Sequence, residues 1–195
     1  PRADGRHEVR LEIAVETTGG EPGQLLNMLF GNSSLHDDVE LVDVELPHEA
    51  AGAFGGPRFG IAGWREAVGA HGRPLTCSAL KPRGLPVDAR AARAGTLARA
   101  GIDVIKDDPG LADQASAPFA ARVAAVQRAI DAANREAGGR TIYAPSLTGS
   151  LDAMRAQMRA ARDAGARAFL IAPMVSGVST LAAVAREAGV PILAH

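Results

Sequence analysis

The sequence has little of several features that would place it in a specialised class of protein. It contains a single cysteine, Cys77, in 195 residues, which excludes an internal disulfide and favours the cytoplasm as its compartment. No apolar run approaches the roughly 20 residues that span a bilayer, and no signal-peptide pattern opens the chain. The formal net charge is -1, so the surplus of lysine and arginine expected of a general nucleic-acid binder is missing.

The remaining composition is that of an ordinary globular protein. Hydrophobic residues make up 47% and charged residues 22%, and 195 residues suffice for one sizeable core with a small domain attached. The chain begins at Pro1 without an initiator methionine and ends at His195, directly after an apolar run with the character of a strand. We therefore expect a fragment of a longer protein.

Residues 1–57 have the pattern of part of a small α+β domain. Apolar and polar side chains alternate over residues 7–15 and again over residues 39–46, which predicts two half-buried strands. Between them, apolar side chains at helical spacing predict a helix over residues 22–30, which Gly31 ends. Residues 58–73 are predicted to form a linker with a short helix near Trp64.

Residues 74–195 repeat one supersecondary pattern. Alanine-rich amphipathic helices end at a small residue and an apolar strand follows almost at once, at junctions that contain Gly101, Gly139, Gly165 and Gly189. Glycine just beyond a helix supplies the left-handed cap that turns the chain back. Helices and strands that alternate in this way form parallel sheets, so the segment predicts five strands and four helices of an α/β fold.

The ends of these strands favour a barrel over an open sheet. An open doubly wound fold usually carries a glycine-rich phosphate loop after its first strand, whereas residues 81–84 read Lys-Pro-Arg-Gly. Each strand instead ends in its own polar group, which is typical of the (β/α)8 TIM barrel. In chain order these groups are Lys81, then Lys106 with Asp107 and Asp108, then Ser146 and Thr148, then Ser176, then His195. The segment therefore predicts the first half of such a barrel.

The strongest signal of a site is the run of Lys106, Asp107 and Asp108. Side chains alternate along a strand, so Lys106 and Asp108 share one face of the sheet and Asp107 takes the other. A charge at this place is costly unless it is paired. The run is therefore either a structural lysine–aspartate pair or a site lysine beside a metal-binding carboxylate. A Schiff-base lysine is disfavoured, because two adjacent carboxylates would keep the amine protonated.

Four other positions have both a structural and a functional interpretation. Lys81 is either a surface lysine at a strand tip or a site lysine across the barrel mouth from Lys106. His195 is either a satisfied terminal histidine or a catalytic group. Thr148 precedes a helix, where free N–H groups either hold a phosphate or belong to an ordinary N-cap. Cys77 lies within a strand and is expected to pack rather than react.

Consecutive motifs resemble the RuBisCO large-chain family over nearly the whole chain, from about Leu11 to His195. They are residues 56–61 (GPRFGI), 79–85 (ALKPRGL) and 101–108 (GIDVIKDD). Two further runs, residues 26–32 (LNMLFGN) and 110–114 (GLADQ), are more similar to the RuBisCO-like proteins than to the photosynthetic carboxylase. The resemblance implies a TIM barrel preceded by part of a ferredoxin-like α+β cap domain, over residues 1–57, 58–73 and 74–195 as divided above.

The resemblance also implies roles for individual residues. Lys81 matches the lysine that handles protons at the enediolate of the sugar phosphate, and Lys106 matches the lysine that reacts with CO2 to give a metal-binding carbamate. Asp108 matches a magnesium-binding aspartate, and His195 matches a histidine beside the reacting carbons of the substrate. Asn27 roughly matches a cap-domain asparagine that reaches into the neighbouring subunit's site, which implies a homodimer.

Three departures from the carboxylase pattern bear on the reaction. Pro109 replaces the glutamate that completes the metal site, which weakens Mg²⁺ binding without excluding it, because Mg²⁺ keeps several waters. Arg83 replaces a second lysine and is expected to bind substrate together with Thr148 and Asn27. Residues 145–146 replace an asparagine-bearing stretch. These changes speak against carboxylation of ribulose bisphosphate.

The resemblance and its departures together imply an enzyme. The expected reaction is Mg²⁺-dependent enolisation or isomerisation of a phosphorylated keto-sugar, through removal of a proton next to a carbonyl. A decarboxylase or carboxyl-transfer enzyme on a sugar-acid phosphate, or a protein of the carboxylase type, is the alternative. A non-catalytic truncated remnant is the alternative of another class. No nucleic-acid or membrane partner is expected.

Overall fold

A computed structural model describes residues 5–195, apart from the side chain of Ala53. The chain divides into two compact units, Pro1–Gly56 and Pro57–His195. Among the described residues, none of the helices combines the length and the apolar character needed to cross a membrane.

The first unit is helical where it has regular structure. It contains a 3-10 turn at Val15–Thr18, helix α1 (Pro22–Phe30), a second 3-10 turn at Ser33–Leu35 and helix α2 (His48–Ala53). Helix α1 coincides with the predicted range because both of its ends are encoded: Pro22 stands in its first turn, the Glu21 carboxylate accepts from the Gln24 N–H at 2.8 Å, and Gly31 follows its last residue. The two-turn helix α2 has no counterpart in the sequence prediction.

The two strands predicted in the first unit are wrong. Residues 7–15 form no strand, and residues 39–46 form none either. An exposed ion pair joins the two segments, from Arg10 to Glu45 at 2.6 Å, and Arg6 just before the first segment pairs with Glu40 at 3.0 Å. No backbone ladder joins the two segments. Alternation produces a strand only where a second strand and a core receive its apolar face. Within residues 5–56 those apolar side chains stay exposed apart from Val15, with Leu11 at 77%.

The second unit alternates strands and helices after an opening helix. Its order is α3 (Gly60–Val68), β1 (Cys77–Leu80), α4 (Val87–Arg99), β2 (Val104–Asp107), α5 (Phe119–Ala137), β3 (Ile142–Ala144), α6 (Leu151–Asp163), β4 (Phe169–Ile171), α7 (Pro173–Ser176), α8 (Val178–Ala188) and β5 (Ile192–Ala194). Strands β2 to β5 follow the predicted junctions at Gly101, Gly139, Gly165 and Gly189. Gly138 and Gly189 end α5 and α8 in the left-handed conformation, with φ of 63° and 61°. The one-turn helix α7 was not predicted.

The strands are parallel and neighbour one another in chain order. Strand β2 pairs with β1 and with β3, and β4 pairs with β5. A bridge between Ser146 and Leu170 joins the two groups, because the Leu170 N–H donates to the Pro145 carbonyl at 2.9 Å and the Leu147 N–H donates to the Leu170 carbonyl at 2.8 Å. The predicted α/β class is therefore confirmed, and the carboxyl ends of all five strands lie along one edge.

The two faces of the sheet bury different sets of residues. Ile105, Tyr143 and Phe169 point to the face that packs against helices α4, α5, α6 and α8. Their neighbours in the strands, among them Val104 and Leu170, point to the other face, where α3 contributes Val68. This alternation places Lys106 on the α3 side of the sheet and Asp107 on the helix side.

Candidate active site at the carboxyl ends of the strands

Lys106 is flanked by small residues at the end of β2. In the sheet register it stands opposite Ala79 of β1 and opposite Ala144 of β3. The two alanines leave space around the lysine side chain, which is partly exposed. Its amine forms no ion pair with any residue in the range 5–195. Of the two interpretations of this run, the structural pair between Lys106 and an adjacent aspartate is therefore not observed.

Lys81 pairs with Asp108 instead. The Lys81 Nζ lies 3.5 Å from the Asp108 Oδ2, and the Lys81 side chain is 68% exposed. Because β1 and β2 are adjacent, Lys81 is a close neighbour of the Lys106 run, and the expectation that it lies across a mouth from Lys106 is wrong. The Gly110 N–H donates to Asp108 Oδ1 at 2.8 Å. Burial would raise the pKa of Asp108, but this hydrogen bond and the charges of Lys81 and Arg83 lower it.

Arg83 also lies near this carboxylate, close enough for its charge to lower the pKa of Asp108. A Cβ atom added to Gly110 would stand 2.7 Å from the Arg83 Nη1 and 3.1 Å from the Asp108 Oδ1, so the guanidinium occupies the space that a side chain at position 110 would need. Lys81 and Arg83 thus bring two cations to one partly exposed carboxylate, and Lys106 adds a third on the same face of the sheet. We call Lys81, Arg83 and Lys106 the cationic cluster. The surplus of positive charge at this edge suits an anionic ligand such as a phosphorylated sugar.

Asp107 is buried behind the exposed cluster. Its carboxylate accepts from the Arg122 Nε at 3.2 Å, the Tyr143 hydroxyl at 2.8 Å and the Ser146 N–H at 3.1 Å. Neither Asp107 nor Arg122 exposes any of its side chain. Burial raises the pKa of Asp107, and the charge of Arg122 opposes that rise. Burial and the nearby Asp107 charge also raise the pKa of Tyr143. The Asp107 carboxylate therefore links β2 to β3 and to α5 through hydrogen bonds.

The two buried arginines hold the loops that leave β1 and β2. Arg122 of α5 donates to the Ala112 carbonyl at 2.9 Å and to the Ala117 carbonyl at 2.7 Å, both in the loop after β2. Arg90 of α4 is fully buried and donates to carbonyl groups of residues 80–85, in the loop after β1. Burial lowers the pKa of Arg90, and the charge of Asp107 acts in the opposite direction.

Sequence reasoning missed this buried set of Arg90, Asp107, Arg122 and Tyr143, which we call the polar hub. One signal was available. Arg122 falls within the apolar stripe of α5, next to Val123 and one turn after Phe119, and its guanidinium lies 5.3 Å from the Phe119 ring. An arginine on the buried face of a helix needs partners, and an aspartate at a strand end is the natural one.

Asn27, His195 and Cys77 have contacts of their own. Asn27 belongs to the first unit, where its Nδ2 donates to Gln24 Oε1 at 3.4 Å. His195 follows β5 at the same strand edge as the cluster, is exposed, and donates its backbone N–H to the Ile171 carbonyl at 2.9 Å. Cys77 is exposed rather than packed, because among the described residues β1 has a partner strand on one side only.

Thr148 is occupied by contacts within its own loop. Its N–H donates to Gln157 Oε1 at 2.9 Å, and its carbonyl accepts from the Gln157 Nε2 at the same distance. The Ser150 hydroxyl accepts from the Ala153 N–H, as an N-cap does. Of the two interpretations of this segment, the ordinary N-cap is the one observed, and the Thr148 N–H is not free for a phosphate because it already has a partner.

A cavity of about 320 Å³ lies at the opposite edge of the sheet. Arg73 and Asp103 line it, together with Arg140 and Gly138. Asp103 is saturated there by bonds of 2.6 and 2.7 Å from Arg73 and of 2.8 Å from the Thr76 N–H. This edge carries the amino ends of the strands, where parallel α/β proteins seldom bind substrates.

Known proteins are similar to this chain along its whole length. The model of the family described as ribulose bisphosphate carboxylase large chain, catalytic domain, matches residues 60–195. A protein of Rhodospirillum rubrum, 5-methylthioribulose-1-phosphate isomerase, is 54% identical over 196 residues, which cover 100% of this chain and 52% of the relative. A protein of Geobacillus kaustophilus, 2,3-diketo-5-methylthiopentyl-1-phosphate enolase, is 37% identical over 88% of this chain and 42% of its own length.

Solved structures are also similar to this chain over most of its length. The crystal structure of a Rubisco-like protein from Rhodopseudomonas palustris superposes with a TM-score of 0.91 at 55% identity, over 94% of this chain and 53% of that one. The chain thus spans about half the length of the relatives that it matches.

Proposed function

Because this chain belongs to the ribulose bisphosphate carboxylase large-chain family, among its RuBisCO-like members, we propose that the whole protein enolises or isomerises a phosphorylated keto-sugar. The observation that carries the proposal is the cluster of Lys81, Lys106 and Asp108 at the carboxyl ends of β1 and β2. Its position suits the common active-site edge of parallel α/β folds.

For the architecture, we propose that the second unit is the first half of a TIM barrel. Five parallel strands neighbour one another in chain order, and helices cover one face of the sheet. An open doubly wound sheet would reverse its strand order at a switch point. The first unit would then be part of the small cap domain that precedes such a barrel in this family.

In the proposed reaction, Lys81 moves the proton next to the substrate carbonyl. A general base must reach the reacting carbon, and the exposed Lys81 amine is free to swing away from Asp108 toward a ligand. Arg83 would hold an anionic oxygen of the substrate. His195, at the end of β5, and Asn27 of the first unit are the other proposed contacts, and Asn27 would act in the site of a second subunit in a homodimer.

Magnesium fits this site only together with a modified lysine. Residues 5–195 contain no group of three or more histidine, cysteine, aspartate or glutamate side chains suited to a metal ion. Asp108 supplies one carboxylate, and Pro109 has no ligand atom. A neutral Lys106 amine that adds CO2 and releases one proton becomes a carbamate, which provides a second anionic ligand on the same face. Two such ligands plus water suffice for Mg²⁺, which when bound would stabilise the negative charge of an enediolate.

Calorimetric titration of the full-length protein with Mg²⁺, with and without bicarbonate, tests this site. We expect binding that requires bicarbonate in the wild type and that is lost in Lys106→Ala. A surface variant, Asp163→Asn, is the control and should bind as the wild type does. Binding that ignores both bicarbonate and the Lys106 substitution would refute the carbamate.

Two relatives favour two versions of the reaction. The isomerase of Rhodospirillum rubrum is the more similar, so we propose isomerisation of 5-methylthioribulose 1-phosphate or a close analogue first, and enolisation of a 2,3-diketo phosphate second. Incubation of the full-length protein with each compound, followed by identification of the product by NMR, separates the two. Turnover of neither compound would contradict the proposal and favour a decarboxylase or a non-catalytic protein.

A further inference from the structure

Arg90 makes an unusual set of contacts for a buried charged residue. Its side chain is fully buried, and within residues 5–195 its guanidinium bonds only to backbone carbonyl groups. Nη1 donates to the Leu80 carbonyl at 3.1 Å. Nη2 donates to the Arg83 carbonyl at 2.6 Å and, more weakly, to those of Leu85 at 3.3 Å and Pro82 at 3.4 Å. All four acceptors lie in residues 80–85.

These six residues carry two members of the cationic cluster. Arg90 holds the Arg83 carbonyl itself and the carbonyls on either side of Lys81, those of Leu80 and Pro82. The Lys81 carbonyl accepts a further bond from Arg93 of the same helix. The backbone of the loop is thus fixed from the helix side of the sheet, while the Lys81 side chain stays 68% exposed on the other side.

Packing alone does not account for an arginine at this position. A buried guanidinium is costly, and an apolar side chain of similar length would fill the same space without a charge. What the arginine adds is a rigid planar fork of donors, which fixes the directions of several carbonyl groups at once. No carboxylate bonds to Arg90 among the described residues, and Asp107 of the polar hub is the carboxylate whose charge acts most strongly on its pKa.

We infer that Arg90 is a positioning residue of the proposed active site, which holds the loop of residues 80–85 so that Lys81 and Arg83 face the substrate. Only the part of this inference that concerns contact with substrate rests on the proposed function. That Arg90 orders the loop is a separate statement, which does not depend on any reaction.

Three variants of the full-length protein test this inference. Arg90→Met removes the donors and keeps the length of the side chain. Arg90→Lys keeps the charge but replaces the planar guanidinium by a single ammonium group. If Arg90→Met does not fold, the measurements below are made on Arg90→Lys. The matched control is Arg162→Met. Arg162 also caps two carbonyl groups, those of Glu187 and Ala188 at 2.7 and 2.6 Å, but at the amino edge of the sheet before β5.

The first measurement is amide hydrogen exchange, which needs no substrate. In both Arg90 variants we expect exchange in the peptide of residues 80–87 to accelerate by about tenfold or more, because the loop opens locally without global unfolding. Exchange in β4 and α5 should stay at the wild-type rate. The control should leave residues 80–87 unchanged.

The second measurement is steady-state kinetics with 5-methylthioribulose 1-phosphate. A loss of folded protein lowers kcat and leaves KM unchanged, whereas displacement of Lys81 and Arg83 also weakens binding. We expect KM to rise by about fivefold or more and kcat/KM to fall by about 100-fold in Arg90→Met, with Arg90→Lys between it and the wild type. Arg162→Met should keep the wild-type KM.

The outcomes separate the inference from the proposed function. Unchanged exchange of residues 80–87 in Arg90→Met or Arg90→Lys overturns the inference, and so does faster exchange with an unchanged KM. A wild-type protein that does not turn over the compound overturns the proposed function, and the exchange experiment then still decides whether Arg90 orders the loop.

Discussion

At the scale of single residues, the cationic cluster depends on a glycine that leaves room for an arginine. Gly110 is the position where an added Cβ would come within 2.7 Å of Arg83 Nη1. The end of an arginine side chain is flexible, so the fold can accept this methyl group if Arg83 moves away from Asp108. Position 110 therefore controls where the guanidinium lies.

We predict that Gly110→Ala raises KM for the phosphorylated substrate by about fivefold or more, with a melting temperature within about 2 °C of the wild type. Gly84→Ala in the neighbouring loop is the control, since nothing lies within 4 Å of its added Cβ. An unchanged KM in Gly110→Ala would show that Arg83 does not contact the substrate.

A second residue-scale prediction concerns Asp103 at the opposite edge. Hydrogen bonds from Arg73 hold the pKa of Asp103 well below its usual range, although burial acts against them. A carboxylate with a lowered pKa in the folded state stabilises the protein above the unfolded pKa of about 4, and this contribution is lost as the pH falls below it.

We therefore expect the melting temperature of the wild type to fall between about pH 4 and pH 2, and to fall less steeply in Asp103→Asn. At pH 7 the variant should melt about 2–4 °C lower. Asp163→Asn, an exposed carboxylate on α6, should follow the wild-type curve. If the melting temperatures of the wild type and of Asp103→Asn fell in parallel between about pH 4 and pH 2, Asp103 would not be the group that stabilises the folded protein in this range.

At the scale of elements, the sheet and its helices are held by one continuous apolar layer. Helix α5 is central to it and buries Val123, Val126 and Ile130 completely. Truncation of Ile130 to alanine would leave a cavity against the sheet. Such cavities cost about 2–5 kcal/mol, because the surroundings relax only in part.

We predict that Ile130→Ala lowers the free energy of unfolding by about 2–5 kcal/mol, measured by urea denaturation of the full-length protein. Arg128→Ala, on the exposed face of the same helix, should change it by about 0.5 kcal/mol or less. If the two variants lost the same free energy of unfolding, Ile130 would not lie on the buried face of α5.

The sequence predicts these elements to different degrees for physical reasons. Helix α1 and the strands of the second unit follow from local signals, namely caps, glycines and the period of the apolar residues. The strands expected at residues 7–15 and 39–46 fail because a strand depends on partners that its own residues do not encode. The polar hub is not predictable from spacing, since Asp107, Arg122 and Tyr143 meet only after β2, β3 and α5 have packed.

At the scale of the whole molecule, the candidate site joins residues far apart in the chain at one edge of a parallel sheet. The order of the motifs predicts the family, and the alternation along β2 predicts that Lys106 and Asp108 share a face. The partner of Asp108 was not predicted, because it depends on which strand lies beside β2. The strand beside β2 is β1, which is followed by Lys81, and Lys81 is the partner of Asp108. The Lys81 amine is also the group that the proposed reaction requires.

The assembly of the full-length protein is a second whole-molecule feature. If Asn27 serves the site of a neighbouring subunit, the active protein is a homodimer. Light scattering at micromolar concentration should then give twice the mass of one subunit. A monomer at that concentration would remove Asn27 from the proposed site.

In the proposed reaction, Lys81 moves a proton next to a carbonyl of a phosphorylated keto-sugar. The most direct measurement is incorporation of solvent deuterium into 5-methylthioribulose 1-phosphate, followed by NMR with the full-length protein in D2O, Mg²⁺ and bicarbonate. We predict incorporation at a carbon next to the carbonyl with the wild type and with Arg162→Met, and a rate lower by about 100-fold or more with Lys81→Met. No incorporation with the wild type, or equal rates with and without the Lys81 amine, would contradict the account.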